Sequence, residues 1–302
     1  MRKVRSPLFY VGDKYKLMPQ LTALMPDNIN TYYDIFAGGG SASMAVNAQE
    51  FKLNDIDASV IRLHKYLMHE LTNVDEFIDK MHRLIDHYGL TCSAIGKVPD
   101  DIDEIKKQYK KTYYAKINKT AYLKLRDDYN ADQRNYNLLY LLLVFGFNHM
   151  TRFNNSGKFN LPVGNVDWND NVEKALKNYA EFSNNNKITL YNQDFEDFID
   201  DQNLKQNDFV YVDPPYLITF SEYNKLWNEE TEKRLYRVLD RLDKQEIHWG
   251  LSNVLTHKGR KNTILLNWLE NRNYTVYPVE SNYISRFDNT IKEDTKEIFV
   301  MN

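Results

Sequence analysis

Short apolar, strand-like runs alternate with helical patterns along much of this chain, and this alternation constrains its fold more than any other feature. It is typical of α/β proteins in which helices cover a mostly parallel sheet. The predicted strands are 32–36, 51–54, 188–191, 209–212, 247–252, 274–279 and 296–301. Helical patterns follow the first, fourth and fifth of them, at 41–49, 228–244 and 262–272. The last two strands are joined by a polar segment without a clear helical period, so we expect an antiparallel edge there.

A long segment of different character separates the second predicted strand from the third. It is rich in Lys, Tyr, Asn and Asp, and it contains long helical patterns such as 73–88. A structureless loop of that length is improbable inside a compact domain. The sequence therefore predicts an inserted, mainly helical subdomain at 61–180, with residues 1–60 and 181–302 forming the sheet domain.

The composition excludes several classes of protein. The longest apolar run, 138–147, is shorter than the roughly 20 residues that span a bilayer. The first residues are basic but lack the apolar segment of a signal peptide. The single cysteine, Cys92, excludes an internal disulfide and fits a reducing compartment. The seven histidines show no metal-ligand spacing. We therefore expect a cytoplasmic protein with no membrane partner and no metal site.

The net charge of −3 does not indicate nucleic-acid binding, but the distribution of charge is uneven. Residues 106–126 contain seven lysines, one arginine and no acid, with four tyrosines between them. This block fits either a solvated helix face or a surface that binds phosphates.

Acids and glycines follow the predicted strands. Three glycines, Gly38 to Gly40, come after the first strand, where ligands bind in open parallel sheets. Their spacing is not G-x-G-x-x-G, which argues against a dinucleotide enzyme. Asp55 follows the second strand and could accept hydrogen bonds from both hydroxyls of a ribose. Asp194 follows the third, where it could accept from an exocyclic amine or cap a helix. The pattern indicates a nucleoside-bearing cofactor.

The fourth strand, 209–212, ends at Asp213-Pro214-Pro215-Tyr216. Taken alone, this tetrapeptide fits a strand end and a stiff turn, because proline lacks the amide donor. The tetrapeptide follows the fourth strand, as the glycine loop and the two other acids follow the first three. This order predicts that it forms a catalytic site beside the cofactor.

In that order, these motifs resemble those of the Dam-type (D12 class) DNA adenine-N6 methyltransferases along nearly the whole chain. The resemblance implies a Rossmann-like sheet, S-adenosylmethionine as cofactor and an inserted DNA-reading subdomain. In the first cofactor segment, Tyr10 and Asp13 stand where the family usually has tryptophan and glycine. Residues 250–253 and 296–302 match the strand that faces the tetrapeptide and the final strand. The implied cofactor-binding residues are Tyr10, Gly12, Lys14, Asp34, Phe36, Gly38, Gly40, Ser41, Asp55, Asp194, Phe195 and Asp213.

Residues 145–165 resemble the family's DNA-reading signature. His149 and Met150 replace its usual Gly-Leu, and Phe9 stands where GATC-specific members have a base-contacting lysine, so a GATC target is not assigned. Arg152 is expected to donate to guanine O6 and N7, the alternative being a surface or fold-stabilising arginine. Phe147 fits either a wedge beside the vacated base or core packing. The implied DNA-binding residues are Phe147, Asn148, Arg152, Asn154, Lys158 and Pro162.

The resemblance also implies the chemistry of the tetrapeptide. Asp213 and the carbonyl of Pro214 accept hydrogen bonds from the adenine N6 amine, the two prolines fix the backbone, and the Tyr216 ring stacks on the extruded base. Asp213 favours adenine over cytosine N4, and the sequence has no Pro-Cys motif for cytosine C5.

The acceptor and the partners are less closely constrained. Methylation of cytosine N4 or RNA, or a catalytically silent DNA-binding regulator, remains the alternative function. We expect double-stranded DNA as the partner, leave open a restriction endonuclease encoded nearby, and expect a monomer or weak dimer. We also expect residues 217–230 to close over the flipped base.

Overall fold

The structure is a computed structural model that describes residues 3–219, 227–280 and 295–302. It has two compact units: Lys14–Ala58 with Asn186–Asn302, and Val4–Asp13 with Ser59–Asn185. Residues 4–13 thus belong to the second unit, although the sequence analysis grouped them with the sheet. The Tyr140 hydroxyl donates to the carbonyl of Pro7 at 3.1 Å, which fixes this segment within the second unit. The functions assigned to the two parts stay predictions.

One mostly parallel sheet dominates the first unit. Its described strands are β1 (Ile29–Asp34), β2 (Ala48–Asn54), β3 (Lys187–Tyr191), β4 (Phe209–Val212), β5 (His248–His257), β6 (Arg260–Lys261), β7 (Thr275–Val279) and β8 (Thr295–Met301). Their order is β3-β2-β1-β4-β5-β8-β7, and β6 pairs with β5. The strands from β3 to β5 are parallel, whereas β6, β7 and β8 pair antiparallel. The predicted α/β, Rossmann-like sheet with an antiparallel end is confirmed.

Helices pack their apolar faces against this sheet. Among the described residues these are α8 (Phe195–Asp200), α9 (Glu229–Lys244) and α10 (Thr263–Glu270), and the unit also contains the short helix α1 (Met18–Thr22). The α9 helix begins where the Asn228 side chain accepts from the Thr231 amide at 3.0 Å. Its buried Leu235, Leu239 and Leu242 recur at helical spacing and join a core that includes Val210 and Val212 of β4.

The prediction of a helix at 41–49 is wrong. Only a 3-10 turn forms there, at Ser43–Ala45, and β2 already begins at Ala48. The Ser43 hydroxyl donates to the Asp34 carboxylate at 2.8 Å, which holds the segment against the end of β1. Parallel pairing of Ala48 with Ile29 then requires extended backbone. Local sequence favoured a helix, but the contacts with β1 decided the conformation.

The second unit is mainly helical. Its helices are α2 (Ala58–Glu70, which begins at the end of the first unit), α3 (Val74–Tyr88), α4 (Ile102–Tyr109), α5 (Tyr113–Ala131), α6 (Tyr136–Phe145) and α7 (Asp170–Asn185). The α6 helix is buried from Leu138 to Phe145, as expected for a helix apolar on every side. No helix in the described ranges is long and apolar enough to cross a membrane.

Candidate active site

Three carboxylates follow three neighbouring parallel strands at their carboxyl ends. Asp34 is the last residue of β1, Asp55 follows β2, and Asp213 follows β4. Because β1 lies between β2 and β4, the three acids share one edge of the sheet. Ligands of open α/β sheets bind at this edge.

Asp34 is an almost fully buried acid. One carboxylate oxygen accepts from the Ser43 hydroxyl, and the other, Oδ1, makes no hydrogen bond of ordinary geometry to any residue that the structure describes. Burial raises the pKa of Asp34 to about 7, and the charges of Asp213 and Asp55 act in the same direction. The Ser43 hydrogen bond and the Phe36 amide oppose this shift. The result is a buried acid that can change charge near neutral pH.

Asp55 connects the glycine loop to the end of β2. Its carboxylate accepts from the amide of Gly38 at 2.9 Å and from that of Asp57 at 2.8 Å. Gly38 and Gly40 have φ angles of 47° and 77°, which favour glycine and bring the loop backbone close to the acid. Burial raises the pKa of Asp55 to about 6, against these two amide hydrogen bonds. Since each carboxylate oxygen can accept two hydrogen bonds, the site retains capacity for further hydroxyl donors.

Two buried residues, Lys14 and Glu297, and the partly buried Tyr216 surround Asp213. Lys14 Nζ lies 3.2 Å from Asp213 Oδ2 and 3.9 Å from Glu297 Oε1, and it lies 4.8 Å from the centre of the Tyr216 ring. The Tyr216 hydroxyl is 3.0 Å from Asp213 Oδ1 and 3.2 Å from Glu297 Oε1. Burial raises the pKa of Asp213, and Lys14 and Tyr216 oppose that shift. Asp213 is therefore held between a cation and a hydroxyl donor.

The residues after β3 have structural partners. Asp194 caps α8 by accepting from the Glu196 amide at 3.0 Å, and it pairs with Arg234. The Phe195 ring lies 4.5 Å beneath the Arg234 guanidinium and 5.4 Å from the Phe36 ring. The helix-capping alternative for Asp194 is what the structure shows. Its contact with a cofactor amine stays a prediction.

The other proposed cofactor residues differ in their surroundings. Ser41 is buried in the first unit. Tyr10 and Gly12 lie in the second unit, where the Asp13 amide donates to the Tyr10 carbonyl at 3.2 Å and Gly12 has a φ of 88°. This is a tight turn. The cofactor contacts of all three residues stay predictions.

The signature at 145–165 folds back on itself. The Phe147 amide donates to the Pro162 carbonyl at 2.9 Å, and the Gly164 amide to that of Phe145 at 2.7 Å. A Cβ at Gly164 would lie 2.6 Å from the Gly146 carbonyl oxygen. The two backbone segments are thus so close that only glycine fits at this position. The Phe147 side chain is 45% exposed and lies outside the packed core.

Arg152 and Asn154 stabilise this loop. Arg152 Nε donates to the Asn160 side-chain oxygen at 3.0 Å, and Nη2 donates to the Asn160 carbonyl at 2.8 Å. The Asn154 side-chain oxygen accepts from the amides of Ser156 and Lys158, both at 3.0 Å. Asn148, predicted to contact DNA, has a φ of 54°. The structure places these residues on one loop and leaves their contacts with DNA as predictions.

Residues 10–283 match the model of the D12 class N6 adenine-specific DNA methyltransferases. The chain belongs to this family. Among its relatives, the modification methylase StsI of Streptococcus sanguinis and the type II methyltransferase M.FokI of Planomicrobium okeanokoites are each 32% identical over 307 residues. Those alignments cover 99% of this chain and 43% of each relative, so the chain spans less than half of their length. A DNA adenine methylase of Salmonella typhi is 24% identical over 219 residues, 72% of this chain and 66% of that protein.

Three of the positions that the sequence analysis named as departures from the D12 pattern are connected in the second unit. Phe9 is 5% exposed and has a φ of 49°. Its ring lies 4.9 Å from the His149 ring and 4.9 Å from the Arg5 guanidinium. Arg5 in turn lies 3.8 Å from Asp13. Phe9, His149 and Asp13 are therefore connected, directly or through Arg5.

Sequence reasoning did not identify Ser43 or Glu297 as site residues. Ser43 was assigned to a helix, and its contact with Asp34 depends on the fold. Glu297 is 3% exposed in β8, directly before the four apolar residues that end the strand. Its sequence position at the polar start of β8 gave no sign of burial, which only the fold shows.

Proposed function

We propose that this chain transfers a methyl group from S-adenosylmethionine to N6 of an adenine that has left a DNA duplex, within a short sequence motif. The observation that carries the proposal is the largely enclosed Asp213 carboxylate, 17% exposed and held by Lys14 and Tyr216 at the carboxyl end of β4. Family membership supports it, as do relatives whose names describe DNA modification.

The first unit fits a cofactor that carries both a nucleoside and a positive charge. Gly38 and Gly40 let the backbone approach a ligand, Asp55 suits ribose hydroxyls, and Phe36 offers a ring beside them. Asp34 and Asp213 add negative charge at the same edge, and one Asp34 oxygen is buried with unused acceptor capacity. When bound there, S-adenosylmethionine supplies an electrophilic methyl group on a sulfonium.

Asp213 would act on the nucleophile. The N6 amine of adenine reacts poorly because its lone pair is delocalised into the ring. A carboxylate that accepts from the amine N–H groups, together with the Pro214 carbonyl, favours a pyramidal nitrogen and localises that lone pair. Pro214 and Pro215 restrict the backbone, so both acceptors are oriented before the base arrives.

Tyr216 would hold the base in place. Stacking on an aromatic ring contributes about 1–3 kcal/mol per base in other systems. The hydroxyl contacts with Asp213 and Glu297 fix the ring, and Lys14 lies over one of its faces. We therefore place the adenine on the opposite face. A flipped base is required because its amine is enclosed in the duplex stack.

The second unit would read the DNA. Arg152 uses two N–H groups on Asn160, which fixes the guanidinium and leaves three N–H groups that donate to no residue in the described ranges. That arrangement suits guanine recognition in the major groove. The exposed Phe147 ring on the same loop suits a wedge beside the vacated position. The names of the type II relatives support a restriction endonuclease as a functional partner.

The test is expression in a host without DNA methylation, followed by sequencing that detects modified bases. N6-methyladenine confined to one motif is expected for the natural chain. It should be absent with Asp213→Asn, which keeps the shape of the side chain, and retained with Asp200→Asn, a change to an exposed acid. Methylated cytosine N4 would overturn the adenine assignment. No modified base from folded protein would overturn the proposed reaction on DNA.

A further inference from the structure

We propose that Glu297 is a positioning residue: it accepts the Tyr216 hydroxyl hydrogen when the target amine binds Asp213, so that this hydroxyl does not compete for the carboxylate. The inference rests on the proposed function and extends it to a residue outside the tetrapeptide. All four groups involved, Lys14, Asp213, Tyr216 and Glu297, belong to the first unit.

The contacts of Tyr216 are the starting point. Its hydroxyl lies 3.0 Å from Asp213 Oδ1 and 3.2 Å from Glu297 Oε1. A tyrosine hydroxyl has one hydrogen, so it donates fully to only one of these carboxylates at a time. The two acids are alternative acceptors for the same donor.

This choice matters for the reaction. Asp213 has to accept from the N6 amine, and a hydroxyl that already donates to Oδ1 weakens it as an acceptor. Rotation about the Tyr216 C–O bond moves the hydrogen to Glu297 and leaves the ring in place. The stacking surface is therefore unaffected by the exchange.

The position of Glu297 supports a specific role. It lies in β8, where the five residues from Glu297 to Met301 are all buried. Burying an acid in apolar surroundings is unfavourable unless charged or hydrogen-bonding partners compensate. It contacts the Tyr216 hydroxyl and, at 3.9 Å, Lys14 Nζ, which also contacts Asp213. The acid thus contacts both groups that bind the catalytic carboxylate.

A purely structural role predicts a different result. If Glu297 only balances the charge of Lys14, its removal should weaken the fold, and removing the Tyr216 hydroxyl as well should add to the damage. If Glu297 receives the hydroxyl hydrogen, removing the hydroxyl should relieve the damage. The two roles therefore predict opposite interactions between the two substitutions.

The experiment compares methylation by Glu297→Ala, Tyr216→Phe and the double variant on a duplex that carries the motif found by sequencing. Glu297→Ala should lower kcat about tenfold or more with little change in the KM for DNA. The double variant should be several-fold faster than Glu297→Ala alone. Glu297→Gln, which keeps an acceptor oxygen, should retain most of the activity. A double variant no faster than Glu297→Ala would overturn the proposal.

The pH dependence gives an independent check. With Glu297→Ala the hydroxyl stays on Asp213 and stabilises its carboxylate, so the acidic limb of kcat should move to lower pH. With Tyr216→Phe that stabilisation is lost and the limb should move to higher pH. An unchanged limb in Glu297→Ala would also overturn the proposal.

A matched control separates this effect from the general cost of altering a buried acid. Glu232 is fully buried and accepts from Trp227, Tyr236 and Asn262. Glu232→Gln should lower the melting temperature without moving the pH profile. Binding of S-adenosylmethionine, measured by calorimetry, should be unchanged in Glu297→Ala. If the natural chain itself methylates no DNA, the proposed function is wrong. The variants then have no activity to compare, so this outcome is distinct from a failure of the role proposed for Glu297.

Discussion

The rings of Phe9 and His149 lie 4.9 Å apart, inclined by 37°, within the second unit. The Arg5 guanidinium lies 4.9 Å from the Phe9 ring centre, and Phe9 is only 5% exposed. By the resemblance described in the sequence analysis, Phe9 stands where GATC-specific members have a base-contacting lysine. Here the side chain is enclosed by its neighbours, so we expect the chain to methylate a motif other than GATC.

Phe9→Lys should not create GATC methylation. The substitution removes a buried ring, which costs about 3 kcal/mol or more, and places a second cation beside Arg5. We expect a lower free energy of unfolding, measured in urea. We also expect that the variant methylates the same motif as the natural chain or no motif at all. Phe9→Leu, which keeps an apolar side chain, should retain the target. Methylation at GATC by Phe9→Lys would contradict this interpretation.

Lys14 should be needed for both stability and activity. It is 5% exposed and is the cation beside Asp213 and Glu297, so Lys14→Met leaves the buried Glu297 and the partly buried Asp213 without it. Loss of one partner of a buried ion pair costs about 3–5 kcal/mol, which urea unfolding would detect. The pKa of Asp213 should rise further, because Lys14 is the main group that opposes the effect of burial.

A second variant tests whether that loss comes from the unbalanced charge. Adding Asp213→Asn to Lys14→Met removes one of the two acids and should restore part of the lost stability. It should not restore activity. A double variant less stable than Lys14→Met would show that Lys14 acts through packing and not through its charge.

Asp34 should make the protein less stable as pH rises toward neutrality. Its pKa is about 7 in the folded chain, so between about pH 4 and 7 the folded state holds a proton that the unfolded state has lost. Stability contributed by that proton falls as pH rises, by at most about 1.4 kcal/mol per pH unit. Asp34→Asn should therefore stabilise the chain relative to the natural sequence at pH 8 but not at pH 4.

Urea unfolding at several pH values would measure this difference. Asp27→Asn changes an exposed acid and should leave the pH dependence as it is. A difference between Asp34→Asn and the natural chain that stays constant from pH 4 to 8 would contradict the raised pKa.

The sheet and its acids were predictable because their signals are local. The apolar run 209–212 and the residues that follow it show both the strand and the carboxyl end at which Asp213 lies. Parallel topology then brings Asp34 and Asp55 to the same edge without further information. The positions of the strands could be predicted from the spacing of apolar residues and from the turn-forming residues that flank them.

Contacts between distant parts of the chain were not predictable in this way. Tyr216 and Glu297 are separated by 81 positions, and Phe9 and His149 also come from separate segments. The segment 41–49 has a helical pattern, but its contact with Asp34 and its pairing with β1 override it. Of the loop predicted at 217–230, residues 220–226 lie outside those that the structure describes, so its closure stays a prediction.

Arg152 should determine one base of the target. Its guanidinium is fixed by two hydrogen bonds to Asn160, so it is oriented before DNA binds. Arg152→Lys removes the planar pair of donors and should cost about 1–3 kcal/mol of discrimination at one position of the motif. Sequencing of methylated sites should show that position relaxed.

Asn160→Ala tests the orientation of the same arginine. It leaves Arg152 in place but removes the side-chain acceptor for Nε, so discrimination should weaken less than with Arg152→Lys. An unchanged motif in both variants would show that Arg152 stabilises the fold and does not read a base.

The exposed lysines of residues 106–126 should supply affinity without sequence choice. All seven are exposed on α4, α5 and the turn between them, whereas Tyr122 is buried and bonded to backbone carbonyls. Replacing Lys107, Lys110 and Lys111 with Gln should lower the salt dependence of DNA binding by up to about 0.9 per lysine in a log–log plot. Target and unrelated duplexes should lose affinity by the same factor. Lys174 and Lys177, exposed on α7, provide the matched control, and an equal loss from their replacement would contradict a specific role for this block.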